Sequence, residues 1–212
     1  MKITKILSTA FAAVGACAAA AAVCLSLSSM NAEPVLLTSP NLAKSQAAAL
    51  MNAVCDGDYE TASEFIWGNP SLGVDRDASD EVGVLIWDAF TDSISYEMVG
   101  ECYATDEGLA QNIELTSLDI ESVTSVLRDR SQAMLEYRVE NAEDTSEIYD
   151  ENNEYSEAFV MEVLYDAAVQ ALEEDAVHKT VTLTLNLTYQ DGRWWVMADN
   201  QLLDAISGGI LY

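Results

Sequence analysis

Positive charge is what this sequence has least of. Nine lysines and arginines stand against 36 acids in 212 residues, a formal net charge of −27. Every acid follows residue 32, so beyond Lys2 and Lys5 the same 36 acids face seven bases. Such a surface repels phosphate backbones and anionic membranes, because nucleic-acid affinity comes largely from Lys and Arg displacing counterions. Nucleic acid is therefore excluded as a partner, and any contact with a membrane falls to the N-terminal segment. Histidine occurs once, at His178, and the four cysteines include no C-x-x-C pair, which speaks against a structural zinc site. No serine or cysteine stands in a nucleophile-elbow context such as G-x-S-x-G, so His178 reads as a boundary residue before the last strands. No cofactor is implied.

Charge is also missing, of either sign, from Ile6 to Met30. With Lys2 and Lys5 ahead of it, this stretch reads as an export segment, residues 1–32, to be set aside from fold reasoning. Three outcomes stay open. Ser26-Leu27-Ser28 or a start near Met30 and Ala32 suits cleavage, the 25-residue length suits retention as an anchor, since about 20 apolar residues span a bilayer, and Val14-Gly15-Ala16-Cys17 suits lipidation on Cys17. The rest is expected to be extracytoplasmic, secreted or held at the outer face of the cell membrane. Two cysteines remain there, Cys55 and Cys102. They are candidates for a disulfide worth ~3–4 kcal/mol, or else buried thiols.

After a short linker over 33–41, the periodicity predicts one α+β domain over 42–212. Leu42, Ala49, Leu50, Ala53 and Val54 lie at helical spacing until Asp56-Gly57 interrupts them, and Asp58 is placed to cap a second helix through Tyr59, Ala62, Phe65 and Ile66. A third helix is expected from Ser79, with Val82, Leu85, Ile86, Ala89 and Phe90 inward. From Ser93 the period becomes two: Ile94, Tyr96, Met98 and Cys102 alternate with polar residues, and "ATDEG" turns toward a strand at about 111–118. Residues 121 to about 177 return to helix around the acidic run "ENAEDTSEIYDENNEYSE". Asp150, Asn152 and Glu154 have the spacing of calcium-loop ligands, but the sixth position is Tyr155 and the twelfth Met161, so the pattern fails and no metal is assigned.

The strongest signal closes the chain. Thr180 to Tyr189 alternates strictly, Asp191-Gly192 is a two-residue hairpin turn, and Trp194 to Asp199 returns. That turn pairs Tyr189 with Trp194, Thr188 with Trp195, Leu187 with Val196 and Asn186 with Met197. Leu183, Leu185, Leu187, Tyr189, Trp194 and Val196 then share an inward face. Thr184, Asn186, Thr188, Trp195 and Met197 share the outward one and are the interface candidates, with Trp195 expected to be more exposed than Trp194. "NQLLDAISGGILY" follows as a short helix or an extended tail.

Together, the opening "A-x-x-x-G-D-Y-E-x-A" from Ala53 to Ala62 and the closing "D-G-x-W" from Asp191 to Trp194 make the chain similar to the nuclear-transport-factor-two-like superfamily of cystatin-like α+β cones. It most resembles extracytoplasmic members of Gram-positive bacterial type, and departs from them in its long acidic helical segment. The resemblance implies N-terminal helices on a curved, mainly antiparallel sheet. It fixes no function, because that superfamily includes enzymes, carriers and scaffolds. An isomerase-like site would draw on Asp88 or Asp92 with Tyr96, and a ligand pocket inside the cone would be lined by Trp67, Trp87 and Tyr96. The preferred expectation is a non-enzymatic surface module, with no catalytic residue, that binds a protein, a cell-wall component or its own copy through the outer sheet face.

Overall fold

The computed structural model describes residues 39–72 and 80–209. The expected export segment with Cys17, and nearly all of the expected linker, lie outside the described residues. Among those residues the chain is α+β, with six helices and one four-stranded antiparallel sheet.

Helix α1, Pro40–Cys55, starts on a proline, whose missing N–H costs nothing in a first turn. It buries Ala43, Ala47, Leu50, Met51 and Val54, one stripe at spacings of three and four. Gly57 ends it at φ +70°, a left-handed conformation suited to glycine, and Asp58 accepts from Thr61 N at 3.0 Å to cap the five-residue α2, Tyr59–Ser63. The third helix, α3, Glu81–Ser93, begins two residues beyond the expected Ser79, because Asp80 is the residue whose carboxylate accepts from Gly83 N at 2.9 Å.

Strands β1, Ser95–Thr105, and β2, Gly108–Leu118, form the first hairpin; α4, Ile120–Glu140, and α5, Glu157–Glu174, follow. Then come β3, His178–Gln190, β4, Arg193–Met197, and a last helix α6, Asn200–Ser207, which settles the C-terminal alternative in favour of helix. The sheet runs β1-β2-β3-β4, every neighbour antiparallel. The terminal hairpin has the register expected from a two-residue turn, Gln190 opposite Arg193 through Asn186 opposite Met197. Asp191 and Gly192 both hold positive φ, +53° and +83°, as a type I′ turn requires.

One face of the sheet packs on helices. Ile113, Leu115, Leu183, Leu185, Leu187, Trp194 and Val196 meet α1, α3 and α6 there, with Leu50, Met51, Trp87, Phe90 and Ile206 filling the space between. Tyr59 closes this core by donating from its hydroxyl to Ile206 O at 3.1 Å, which joins the second helix to the last. The acidic segment is a helical hairpin with its own small core of Ile148, Phe159 and Val163. Two arginines of α4 fasten it: Arg130 reaches Gln170 at 3.0 Å, Glu174 at 2.7 Å and Asp175, and Arg138 reaches Glu162 at 2.8 Å and Asp166.

Both sheet edges are modified. Beside β4, Ile66 pairs in parallel with Val196, with Trp67 N donating to Val196 O at 2.9 Å and Val196 N to Phe65 O at 3.0 Å. In β1 the register shifts between Val99 and Tyr103, with Gly100 at φ +69°.

Candidate functional site

Among the described residues the opposite face of the sheet carries no helix, and its residues follow from the register. Three rows cross it: Glu97 with Glu114 and Thr182; Val99 with Asn112 and Thr184; Tyr103 with Ala110, Asn186 and Met197. Asn112 is the polar centre. Its Oδ1 accepts from Thr184 Oγ1 at 3.0 Å and from Tyr103 OH at 3.3 Å. Thr182, Thr184, Asn186 and Met197 are exposed, and Thr188 is half-buried.

Trp195 stands at the β4 end of this face, half-buried, whereas Trp194 on the inner face is 6% exposed. The strand alternation accounts for the difference, since the two rings point to opposite sides of one ribbon. Trp195 is nonetheless well supported. The Arg193 guanidinium sits 3.5 Å from its ring centroid, its Nε1 donates to Gln190 O at 3.2 Å, and Trp67 meets it edge-on with centroids 5.4 Å apart. Arg193 is itself held by Glu64 O.

The three pocket candidates do not converge. Trp87 is core, its ring 5.6 Å from Tyr59 and 5.5 Å from Phe90. Trp67 lies outside the core, 40% exposed against Trp195, because residues 65–67 leave the helical path and run beside β4. Tyr96 faces α1, and its hydroxyl donates to Asn52 Oδ1 at 2.9 Å and Ala48 O at 3.3 Å. Burial first, and Cys55 second, raise its pKa. Asp88 and Asp92 are exposed on α3, so the isomerase-like set of a buried carboxylate beside a free phenol is not assembled.

The cysteine pairing needs correction: Cys55 and Cys102 are both free and half-buried. Cys55 ends α1 near Tyr96, whereas Cys102 lies by Lys44, which donates to Gly100 O at 3.3 Å near the other end of that helix. Eleven helical residues separate Lys44 from Cys55, ~16 Å at 1.5 Å each, and a disulfide wants Cα atoms within ~7 Å. Burial, then Asp56, pushes the Cys55 thiol up to about 11, and burial also raises Cys102 against the pull of Lys44.

Two residues of the outer face are not placed there by the sequence reading. Tyr103 is 43% exposed there, on the same side of the strand as Glu97 and Val99, because the register shift after Val99 adds two residues and leaves the alternation of faces unchanged. Trp67 was assigned to the wrong surface, although "FIW" just before Gly68-Asn69-Pro70 has strand composition. Among the described residues no group of three or more His, Cys, Asp and Glu side chains is placed to hold a metal, and no helix is long and apolar enough to cross a membrane.

Compared with known proteins, the chain matches no protein-family model, no curated protein and no solved structure.

Proposed function

We propose that this chain is an exported, non-enzymatic module of the outer cell surface that binds a partner through its helix-free sheet face. The observation that carries the reading is the cluster of Trp67, Trp195 and Met197 at one end of that face, beside the uncharged row of Thr184, Asn186 and Thr188. Exposed aromatics next to hydroxyl and amide groups are the composition of a contact surface. Of the three partner classes, a second copy is disfavoured by the charge of −27 that each copy brings, which leaves a protein or a cell-wall component. Helices on one side of an antiparallel sheet, with the hairpin last, are also what the nuclear-transport-factor-two-like resemblance implies, and they support that assignment as part of the same reading.

A small-ligand carrier or isomerase-like enzyme is the competing reading. It would need an open cavity between helices and sheet, where Leu50, Met51, Phe90, Ile113, Leu115 and Leu185 are instead fully buried. The test is co-sedimentation of the purified protein with insoluble cell-wall material, alongside analytical ultracentrifugation for self-association. Thr184→Lys with Met197→Lys should abolish pelleting at unchanged melting temperature. Equal pelleting of this variant, or none by the unaltered protein in either assay, would count against the sheet face.

A further inference from the structure

A second surface lies away from the sheet, along the N-terminal half of α5. A cleft of about 300 Å³ between α3 and α5 includes Val82, Met161 and Tyr165, and one of about 550 Å³ under the acidic connection includes Ala142, Ile148 and Phe159. Ala158 and Glu162 line both, so the two clefts adjoin along α5 and are taken together as one groove. The floor of the first cleft is mostly apolar, and the second mixes apolar and charged side chains. Met161 and Tyr165, one turn apart on α5, are 37% and 39% exposed, unusually open for large apolar side chains on an otherwise amphipathic helix.

The rim is acidic, with Glu81, Asp144, Glu147 and Glu162 on the two clefts. The one cation there among the described residues, Arg138, is taken up by Glu162 and Asp166. The other described cations are engaged as well: Lys44 with Glu101, Arg128 with Asp129, Arg130 with Glu174 and Asp175, Lys179 with Asp119, and Arg193 with Glu64 O and Trp195. From Glu140 to Glu157 inclusive the chain has eight acids and no base. Whatever covers this groove must therefore bring positive charge of its own, which a second acidic copy of the chain cannot do.

We infer that the groove docks a cationic amphipathic helix of a partner protein. Apolar side chains at i, i+3 or i+4 and i+7 of that helix enter between Val82, Met161 and Tyr165, and its lysines or arginines meet Glu81, Glu147 and Glu162. Met161 gives the floor an adaptable surface, so the geometry selects an apolar stripe flanked by cations and does not require one fixed sequence.

Fluorescence anisotropy on the purified full-length protein tests this with a labelled lysine–leucine peptide patterned as an amphipathic helix and a scrambled isomer of equal composition. At physiological salt, where the Debye length is ~8 Å, the patterned peptide should bind at least ~10-fold tighter than its isomer. Met161→Ala with Tyr165→Ala should remove that preference and leave only weak, salt-sensitive binding. Glu81→Gln with Glu147→Gln should weaken the patterned peptide by ~10-fold and flatten its salt dependence. Met197→Lys, on the sheet face, should change nothing, which separates this inference from the sheet-face reading. Equal binding of the two peptides, no binding of either, a preference that survives Met161→Ala with Tyr165→Ala, or loss of binding in Met197→Lys would each overturn it.

Discussion

The Arg193 guanidinium lies 3.5 Å from the centroid of the Trp195 ring, two residues along the same strand and on the same face. One side of the indole is thereby occupied before any partner arrives, and the ring is held fixed by Gln190 O and Trp67. A preformed aromatic loses little side-chain freedom on binding. Arg193→Ala should free it. We expect faster acrylamide quenching of tryptophan emission and a stability loss of ~0.5–2 kcal/mol, the range of a cation–π contact, read by urea titration.

The neighbouring tryptophans should differ in what they cost when truncated. Trp194 is core, with Tyr189 5.4 Å away and Leu187 and Val196 on the same face, so Trp194→Ala should cost ~3–5 kcal/mol. Trp195→Ala should cost clearly less in the same urea titration. Equal costs would contradict the placement of the two rings on opposite sides.

Free thiols make a prediction about pH. The Cys55 pKa is raised to about 11 in the folded chain, against 9.0 for the unperturbed group. Between these values the unfolded chain gives up its proton while the folded chain keeps it, so this group's contribution falls as pH rises through 9 to 11. Alkylation with iodoacetamide at pH 8 should label Cys102 before Cys55, with mass spectrometry giving the order, and non-reducing electrophoresis should show no intramolecular bridge.

Gly108 is the glycine with least room. A Cβ there would lie 2.1 Å from Leu187 O, a backbone atom of the neighbouring strand that moves only if β2 and β3 part. Gly57 also has positive φ but nothing within 4 Å. Gly108→Ala should therefore cost ~3 kcal/mol or more, and Gly57→Ala only the ~1–2 kcal/mol of a left-handed alanine, measured as shifts in the urea midpoint.

Gln111 sits fully buried among apolar residues on the inner face of β2. Its Nε2 donates to Val99 O at 3.1 Å and Asn112 O at 2.8 Å, standing in for the partner that the β1 bulge removes, while its Oε1 has no partner among the described residues. Gln111→Leu would strip Val99 O of its donor at the bulge. We expect a loss of ~1–3 kcal/mol, with amide exchange accelerated around Val99–Tyr103.

The contrast between Gln111 and Trp194 explains how far the residues could be read. The terminal hairpin was legible down to its register, because Asp191-Gly192 admits essentially one turn and a period of two then fixes every partner. The longer helical segments were legible from apolar spacing and caps, whereas the second helix stops at Ser63, short of the expected Phe65 and Ile66, and the third buries Trp87 and Phe90 with Val82, Leu85, Ile86 and Ala89 only half-buried. Gln111 was not, since a buried amide has meaning only beside a bulge in another strand. Trp67 was misplaced for a similar reason: residues 65–67 form their edge contact with β4, about 130 positions later, and no local pattern encodes that. The groove on α5 depends on α3 and the acidic connection coming together, again a long-range matter.

Open strand edges are where sheet proteins pair with one another and polymerise. Here neither edge offers a straight ladder. Phe65 and Trp67 already use the free bonds of Val196, and β1 bends at Gly100 between Glu97 and Glu101. Strand-by-strand growth into fibres is thereby blocked at both ends, so a sheet face without a helix among the described residues does not make the sheet a template for its own aggregation.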